Sequence, residues 1–283
     1  MNAMVASTRA ELLRLRKWPA VWITIGAWLA LTVMFGYLFN YLSYTTGDSS
    51  FSNEGETRES LLAEILPANV PHVLIQGMPM FGGALMMVLG AIVAGNGYGW
   101  GTWKTVFTQG PSRRDVVGGS VAALSAFVVV TVLATLLLCF GLSLLVAAVE
   151  SQSVTWPGVT DLGESVGAGL LVMEMFALVG YLLGTVARGP ALAVGLGLVW
   201  ALVVENLLRG VGQLLGPVEA FTKALPGTGA GSLVGSIVGT GGPDPTPGVL
   251  DTLTGGQALV SLVAYLVLAP ALTGWLVTRR DVA

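Results

Sequence analysis

Charge is what this sequence has least of: Asp, Glu, Lys and Arg make up 10% of its 283 residues, against 54% apolar ones. A soluble domain carries roughly 25% charged residues, so the bulk of this chain must face lipid. Basic residues are scarce too. With a net charge of −3 and no basic tract interleaved with aromatics, the composition argues against a nucleic-acid binder. Cysteine occurs once, as Cys139 inside an apolar run, which leaves no internal disulfide and no cysteine-based metal site. Histidine also occurs once, as His72 beside Pro71 at the edge of an apolar stretch, so a zinc protease or a Ser–His dyad has nothing to stand on. The paired intramembrane aspartates of an aspartyl protease are missing. No Gly-x-x-x-x-Gly-Lys-Ser/Thr occurs, so the chain carries no P-loop of its own. The glycine runs Gly95–Gly101 and Gly227–Gly231 hold no dinucleotide fingerprint and read as flexible points or sites of close helix packing. No enzyme chemistry is legible.

What the chain does have is long apolar runs and a mean hydropathy of +0.78. A membrane-crossing helix needs roughly 20 largely apolar residues. Six stretches qualify, at about 19–42, 73–95, 116–149, 162–187, 191–208 and 257–277. The expected fold is an all-α integral membrane protein, one transmembrane domain over residues 1–283. The opening, Met1 to Lys17, is too polar for the apolar core of a signal peptide, and the run after it is too long, so the first span is read as retained. Trp18, Trp22 and Trp28 gather toward one end of that span and Tyr37, Tyr41 and Tyr44 toward the other, as interfacial belts do. Pro79 is expected to kink the second span. Two segments lie between spans: 43–72, acidic through Asp48, Glu54, Glu56, Glu59 and Glu64, and 209–256, too rich in Gly and Pro to cross as an ordinary helix.

Basic residues orient the bundle. With both termini cytoplasmic, ten of the 13 Lys and Arg fall inside and only Arg58, Arg209 and Lys223 outside. The Ala, Gly and Val richness suggests a high-GC bacterial source, hence a bacterial inner membrane.

Two local patterns stand out. Residues 5–17 read as an interfacial helix: Thr8-Arg9-Ala10-Glu11 fits a capping box, Leu12 and Leu15 share a face, and Arg9, Arg16 and Lys17 face head groups. The loop 98–117 reads as a second short helix. Thr102 caps it, Trp103, Val106 and Phe107 form an apolar patch, and Gly110-Pro111 stops it. Ser112 then caps the third span, with Asp115 in its first turn, and Lys104, Arg113 and Arg114 lie at the membrane surface.

Gly101-Thr102, the short helix, Gly110-Pro111-Ser112 and Arg113-Arg114 resemble, in order and spacing, the loop between the second and third spans of type-2 ABC transporter permeases. The surface "elbow" helix, the six spans and the broken segment before the sixth extend the resemblance along the chain. Two positions depart from it: Asn96-Gly97-Tyr98 stand where family members often carry an acidic residue, and Ser120 where a Lys is frequent. The resemblance implies an exporter permease whose short loop helix docks on a separate ATPase. It places Thr102, Trp103, Lys104, Val106, Phe107, Arg113 and Arg114 at that interface, with an exposed Trp and Phe as anchors. It further implies two ATPase copies, a second copy of this permease or a related one, no cofactor in this chain, and ATP and Mg in the partner. The second and fifth spans line the family's substrate path, which puts Gln76, Met80, Met87, Trp200 and Asn206 on it.

Glu174 falls in the middle of the fourth span, where a carboxylate is costly unless protonated, bonded or turned to a polar cavity. A substrate or proton-linked role and a structural hydrogen bond both remain open. Glu205, Asn206 and Arg209 read as interfacial pairing near the end of the fifth span. Small-residue pairs at Gly163–Gly167, Gly180–Gly184 and Gly212–Gly216 permit close helix approach. The other readings are a proton- or ion-driven transporter using Glu174 and a non-transporting scaffold or immunity protein.

Overall fold

The computed structural model describes residues 3–47, 57–212, 214–240 and 246–280, and among these every regular element is a helix. Helix α1 (Ala3–Lys17) precedes α2 (Pro19–Thr46), the first of six helices long and apolar enough to cross a bilayer. The other five are α4 (Pro67–Gly99), α6 (Arg113–Val149), α7 (Val159–Ala187), α8 (Pro190–Gly212) and α11 (Gly255–Arg279). Four short helices lie between them: α3 (Arg58–Glu64), α5 (Thr102–Thr108), α9 (Gly216–Thr222) and α10 (Pro226–Val238). The fold is all-α and membrane-spanning, as the composition requires. Asp48, Glu54 and Glu56 of the acidic stretch lie outside the described residues.

Helices run past the limits that hydropathy suggests. α2 continues to Thr46, and α4 starts at Pro67, so His72 sits inside a helix. Hydropathy marks where apolar side chains begin, whereas backbone hydrogen bonding continues through the polar head-group level. At Pro79 the helix changes type. The proline lacks an N–H, and a π-helical turn over Met78–Gly82 absorbs the defect, with Phe81 and Gly82 both donating to the Gly77 carbonyl at 3.2 Å.

The core is the α4–α7 pair. In their most apolar stretches 67% and 56% of residues are buried, against 17% in α8 and 22% in α11. A Cβ on Gly180 would collide with the Met87 carbonyl, and one on Gly90 with the Ala177 carbonyl, so the two backbones touch. Gly184 packs the same way, its would-be Cβ 2.5 Å from the Ala91 carbonyl. Of the small-residue pairs, then, Gly180–Gly184 makes a close helix crossing, whereas Gly163 and Gly167 have no neighbour within 4 Å. Met78, Met86 and Met87 are buried within this core.

α1 differs from the expected interfacial helix in two respects. It begins at Ala3, so Thr8 is interior to it, and the Thr8 hydroxyl donates to the Met4 carbonyl instead of capping. It also packs on the start of α6: a Cβ on Gly119 would lie 2.6 Å from Ser7, and Leu15 is buried. Arg9, Arg16 and Lys17 stay exposed.

At the far end of the bundle, away from the termini, α10 tucks back in. It has 13 residues, about 20 Å, too short to cross. It is buried from Thr228 to Gly235 and packs on α11 and the π turn of α4. The chain returns alongside it, Leu250 N–H donating to the Gly231 carbonyl at 3.1 Å and Leu253 N–H to Ser232 Oγ at 3.2 Å. A Cβ on Gly231 would strike the Gly248 carbonyl, so this return path needs glycine there.

Candidate functional site

The α5 loop is built from its ends inward. Gly101 adopts a left-handed conformation (φ +68°) that reverses the chain after α4, and Thr102 is the first helical residue, not the cap. Ser112 caps α6 as expected, accepting from Asp115 N–H at 3.1 Å and donating to Asp115 Oδ2 at 2.7 Å.

The aromatic face of α5 points into the membrane domain. Trp103 is only 4% exposed, which overturns its expected role as an exposed anchor. Its Nε1–H donates to the Ala94 carbonyl at 3.2 Å, in space that exists because residue 97 is glycine; a Cβ there would overlap the indole. Phe107 stacks on Trp103 with centroids 5.5 Å apart and is itself partly buried, as is Val106. An amphipathic loop helix beside a membrane bundle has a hydrophobic wall at hand, and burying indole and ring there stabilises more than leaving them in water. What remains bare is the opposite face: Lys104, Thr105, Thr108 and Gln109, followed by Arg114. Thr105, Thr108 and Gln109 were not singled out by the sequence pattern, which marks an apolar face without saying which way it turns.

Arg113 is also committed within the chain. Its Nη1 donates to the Val277 and Arg280 carbonyls at 2.9 and 2.8 Å, capping the end of α11, and its guanidinium lies 5.5 Å from the Phe107 ring centroid. α1 grips the neighbouring turn: Arg14 Nη2 donates to the Val93 carbonyl at 3.4 Å while pairing with Glu11 at 2.8 Å. Burial pushes the Glu11 carboxyl above its ordinary range, with the Arg14 charge pulling the other way. α1 and α5 thus hold adjacent carbonyls of α4. Gly95, in the same turn, packs on Pro190, so the end of α4 also abuts the α7–α8 turn.

The expected substrate-path residues do not converge in one chain. Met87 is buried among α4, α7 and Gly197 of α8. Met80 lies against Gly248 of the returning segment, and Gln76 is partly buried at the end of the helical turn preceding Gly77. Trp200 and Asn206 share α8. Trp200 Nε1–H donates to Glu205 Oε1 at 2.9 Å, and Asn206 is exposed, its Oδ1 accepting from Arg209 at 2.7 Å. Glu174 sits on α7 away from the α4 contact, half-buried, accepting a 2.5 Å hydrogen bond from the Ser125 hydroxyl of α6.

Glu205 is more than an interfacial pair. It is fully buried, 3.8 Å from Arg209, and its Oε2 lies where a Cβ on Gly227 would stand. It therefore sits at the N-terminus of α10, where a carboxylate meets unpaired N–H groups and the positive end of the helix dipole. Gly227 is the sequence signal for this approach. Among the described residues, no group of His, Cys, Asp and Glu could hold a metal ion.

No curated protein matches the chain. Residues 6–282 match the family model described as ABC-2 family transporter protein, and on that match the chain belongs to this family, as a membrane-spanning permease component of an ABC transporter.

Proposed function

We propose that the chain is the permease half of an exporter driven through α5 by a separate P-loop ATPase. The observation that carries this reading is the two-sidedness of α5: Trp103 is wedged against the Ala94 carbonyl, while Lys104, Thr105, Thr108 and Gln109 stand bare on the other side. A partner pressing on the bare face would move α5 as a rigid unit. The motion would enter α4 at Ala94 and pass through Gly95 and Pro190 to the α7–α8 turn. Arg14 and Arg113 tie the same junction to α1 and α11, so the junction would move as one piece.

In this reading both termini and α5 are cytoplasmic in a bacterial inner membrane, as the distribution of basic residues favours. Two ATPase copies supply ATP and Mg, and a second permease, identical or related, completes the path. Thr102, Val106, Phe107, Trp103 and Arg113 then position α5, and Lys104 and Arg114 face the ATPase. Gln76, Met80, Met87, Trp200 and Asn206 would border the path only once a second chain is present.

The test separates the two faces. Lys104→Glu with Thr108→Glu is expected to lose the ATPase on co-purification. Trp103→Ala is expected to keep it bound while transport-linked ATP hydrolysis falls. Unchanged ATPase binding in the double variant would refute the docking face. A proton-driven reading rests on Glu174, whose Ser125 partner suits a packing role. Transport that persists without any ATPase and disappears in Glu174→Gln would favour it instead.

A further inference from the structure

At the bundle end opposite the termini, α2 and α6 diverge and leave a groove of about 250 Å³. Its walls are Val33, Leu38, Leu142, Leu145, Val146 and Val149. Tyr37 forms part of the lining with its polar end already satisfied, since its hydroxyl donates to the Cys139 carbonyl at 3.0 Å. The mouth is different. Tyr41 and Tyr44 donate their hydroxyls to the two oxygens of Glu150, at 2.8 and 2.9 Å, with their ring centroids 6.1 Å apart.

Two hydroxyl donors fix the carboxylate and use two of its roughly four acceptor positions. Among the described residues no Lys, Arg or His forms an ion pair with Glu150. The mouth is thus a held carboxylate beside two electron-rich rings, the chemistry that receives an alkylammonium. Arg58 places its guanidinium over Gly47, at the end of α2 one turn past Tyr44, so a cation also stands near the mouth.

Size and depth narrow the occupant. The groove is smaller than the roughly 300–1,000 Å³ of drug-sized sites and has a chain-like apolar lining. α6 has 37 residues, about 55 Å, longer than a whole bilayer of about 40–45 Å, so its last turns pass through the head-group level. The groove therefore opens at the boundary where a lipid's chain and head group meet.

We infer that this groove binds a membrane phospholipid with an ammonium head group, its acyl chain between α2 and α6 and its ammonium on Glu150, Tyr41 and Tyr44. The inference holds whichever way the bundle is oriented and does not depend on the ATPase reading.

Native mass spectrometry of the delipidated full chain, titrated with phosphatidylethanolamine or phosphatidylglycerol of matched chains, tests it. Phosphatidylethanolamine is expected to be retained about tenfold better. Glu150→Gln, which keeps the shape, accepts from one tyrosine and donates to the other, is expected to erase that preference. Leu145→Trp fills the groove and is expected to reduce retention of both lipids about tenfold. Leu137→Trp, on a lipid-facing part of α6 outside the groove, is expected to change neither. Leu145 is 60% exposed and Glu150 half-buried, so neither change opens the core; Val149→Trp and Glu150→Ala serve if either variant fails to fold. Equal retention of the two lipids by the unmodified chain, a preference surviving loss of the carboxylate, or retention surviving the filled groove would each overturn the assignment.

Discussion

Helices α4 and α7 are about as apolar as α8 and α11, yet the first pair is mostly buried and the second mostly bare. Inside a bilayer the hydrophobic effect cannot sort them, because lipid tails receive a Leu side chain as readily as a protein core does. The sorting is done by glycine and by carbonyls. α4 and α7 place Gly90, Gly180 and Gly184 where the opposite backbone arrives. α8 and α11 instead present Leu192, Leu196, Val203 and Leu207, and Val260, Val263 and Val267, outward. One half of the molecule is a pair of helices in backbone contact. The other half is surface offered to lipid or to a second chain.

That contrast breaks most completely at Gly180. Gly180→Leu drives a side chain into the Met87 carbonyl and is expected to cost at least about 3 kcal/mol, read as loss of the folded species in detergent. Gly167→Leu, on the same helix with open space around it, should stay within about 0.5 kcal/mol. Next is Glu205→Ala, which strands Trp200 Nε1–H and removes the carboxylate at α10. A loss of about 2 kcal/mol is expected, with faster proteolysis in the 209–256 segment.

A smaller effect concerns the polar tie of α1 to α4. The Glu11 carboxyl has a folded-state pKa above its unfolded value of 4.5, so the folded chain holds that proton more tightly. Its contribution is complete below 4.5 and is lost as pH rises through the folded value. Thermal midpoints of Glu11→Gln should therefore decline less than those of the unmodified chain over that rise. The smallest effect belongs to the bare half: Val203→Ala and Val263→Ala should each change stability by under about 0.5 kcal/mol, while still altering association if a second chain covers them.

Much of this architecture is readable from sequence because it is periodic and local. The six spans, the Ser112 cap, the Pro79 distortion and the Arg188-Gly189-Pro190 turn all depend on residues close together in the chain. The capping box of Thr254 and Gln257 at the start of α11 was equally legible, though nothing in the hydropathy draws attention to it. What escaped is long-range. The i, i+3, i+4 pattern gives Trp103, Val106 and Phe107 a common face, but only the neighbouring bundle decides that the face turns inward. Arg113 reads as a surface cation until the end of α11, 164 residues on, supplies carbonyls for it. Glu205 reads as interfacial until Gly227 brings a helix N-terminus to it.

The central claim is that the bare face of α5 meets an ATPase. Cys139 is the only cysteine and is buried, so replacing it with Ala gives a background for placing single thiols. With a short thiol-to-amine cross-linker, Lys104→Cys should couple to the P-loop ATPase that purifies with the chain, and Thr45→Cys, exposed at the opposite end, should not. No coupling at residue 104 while that ATPase remains bound, or equal coupling from both positions, would contradict the account.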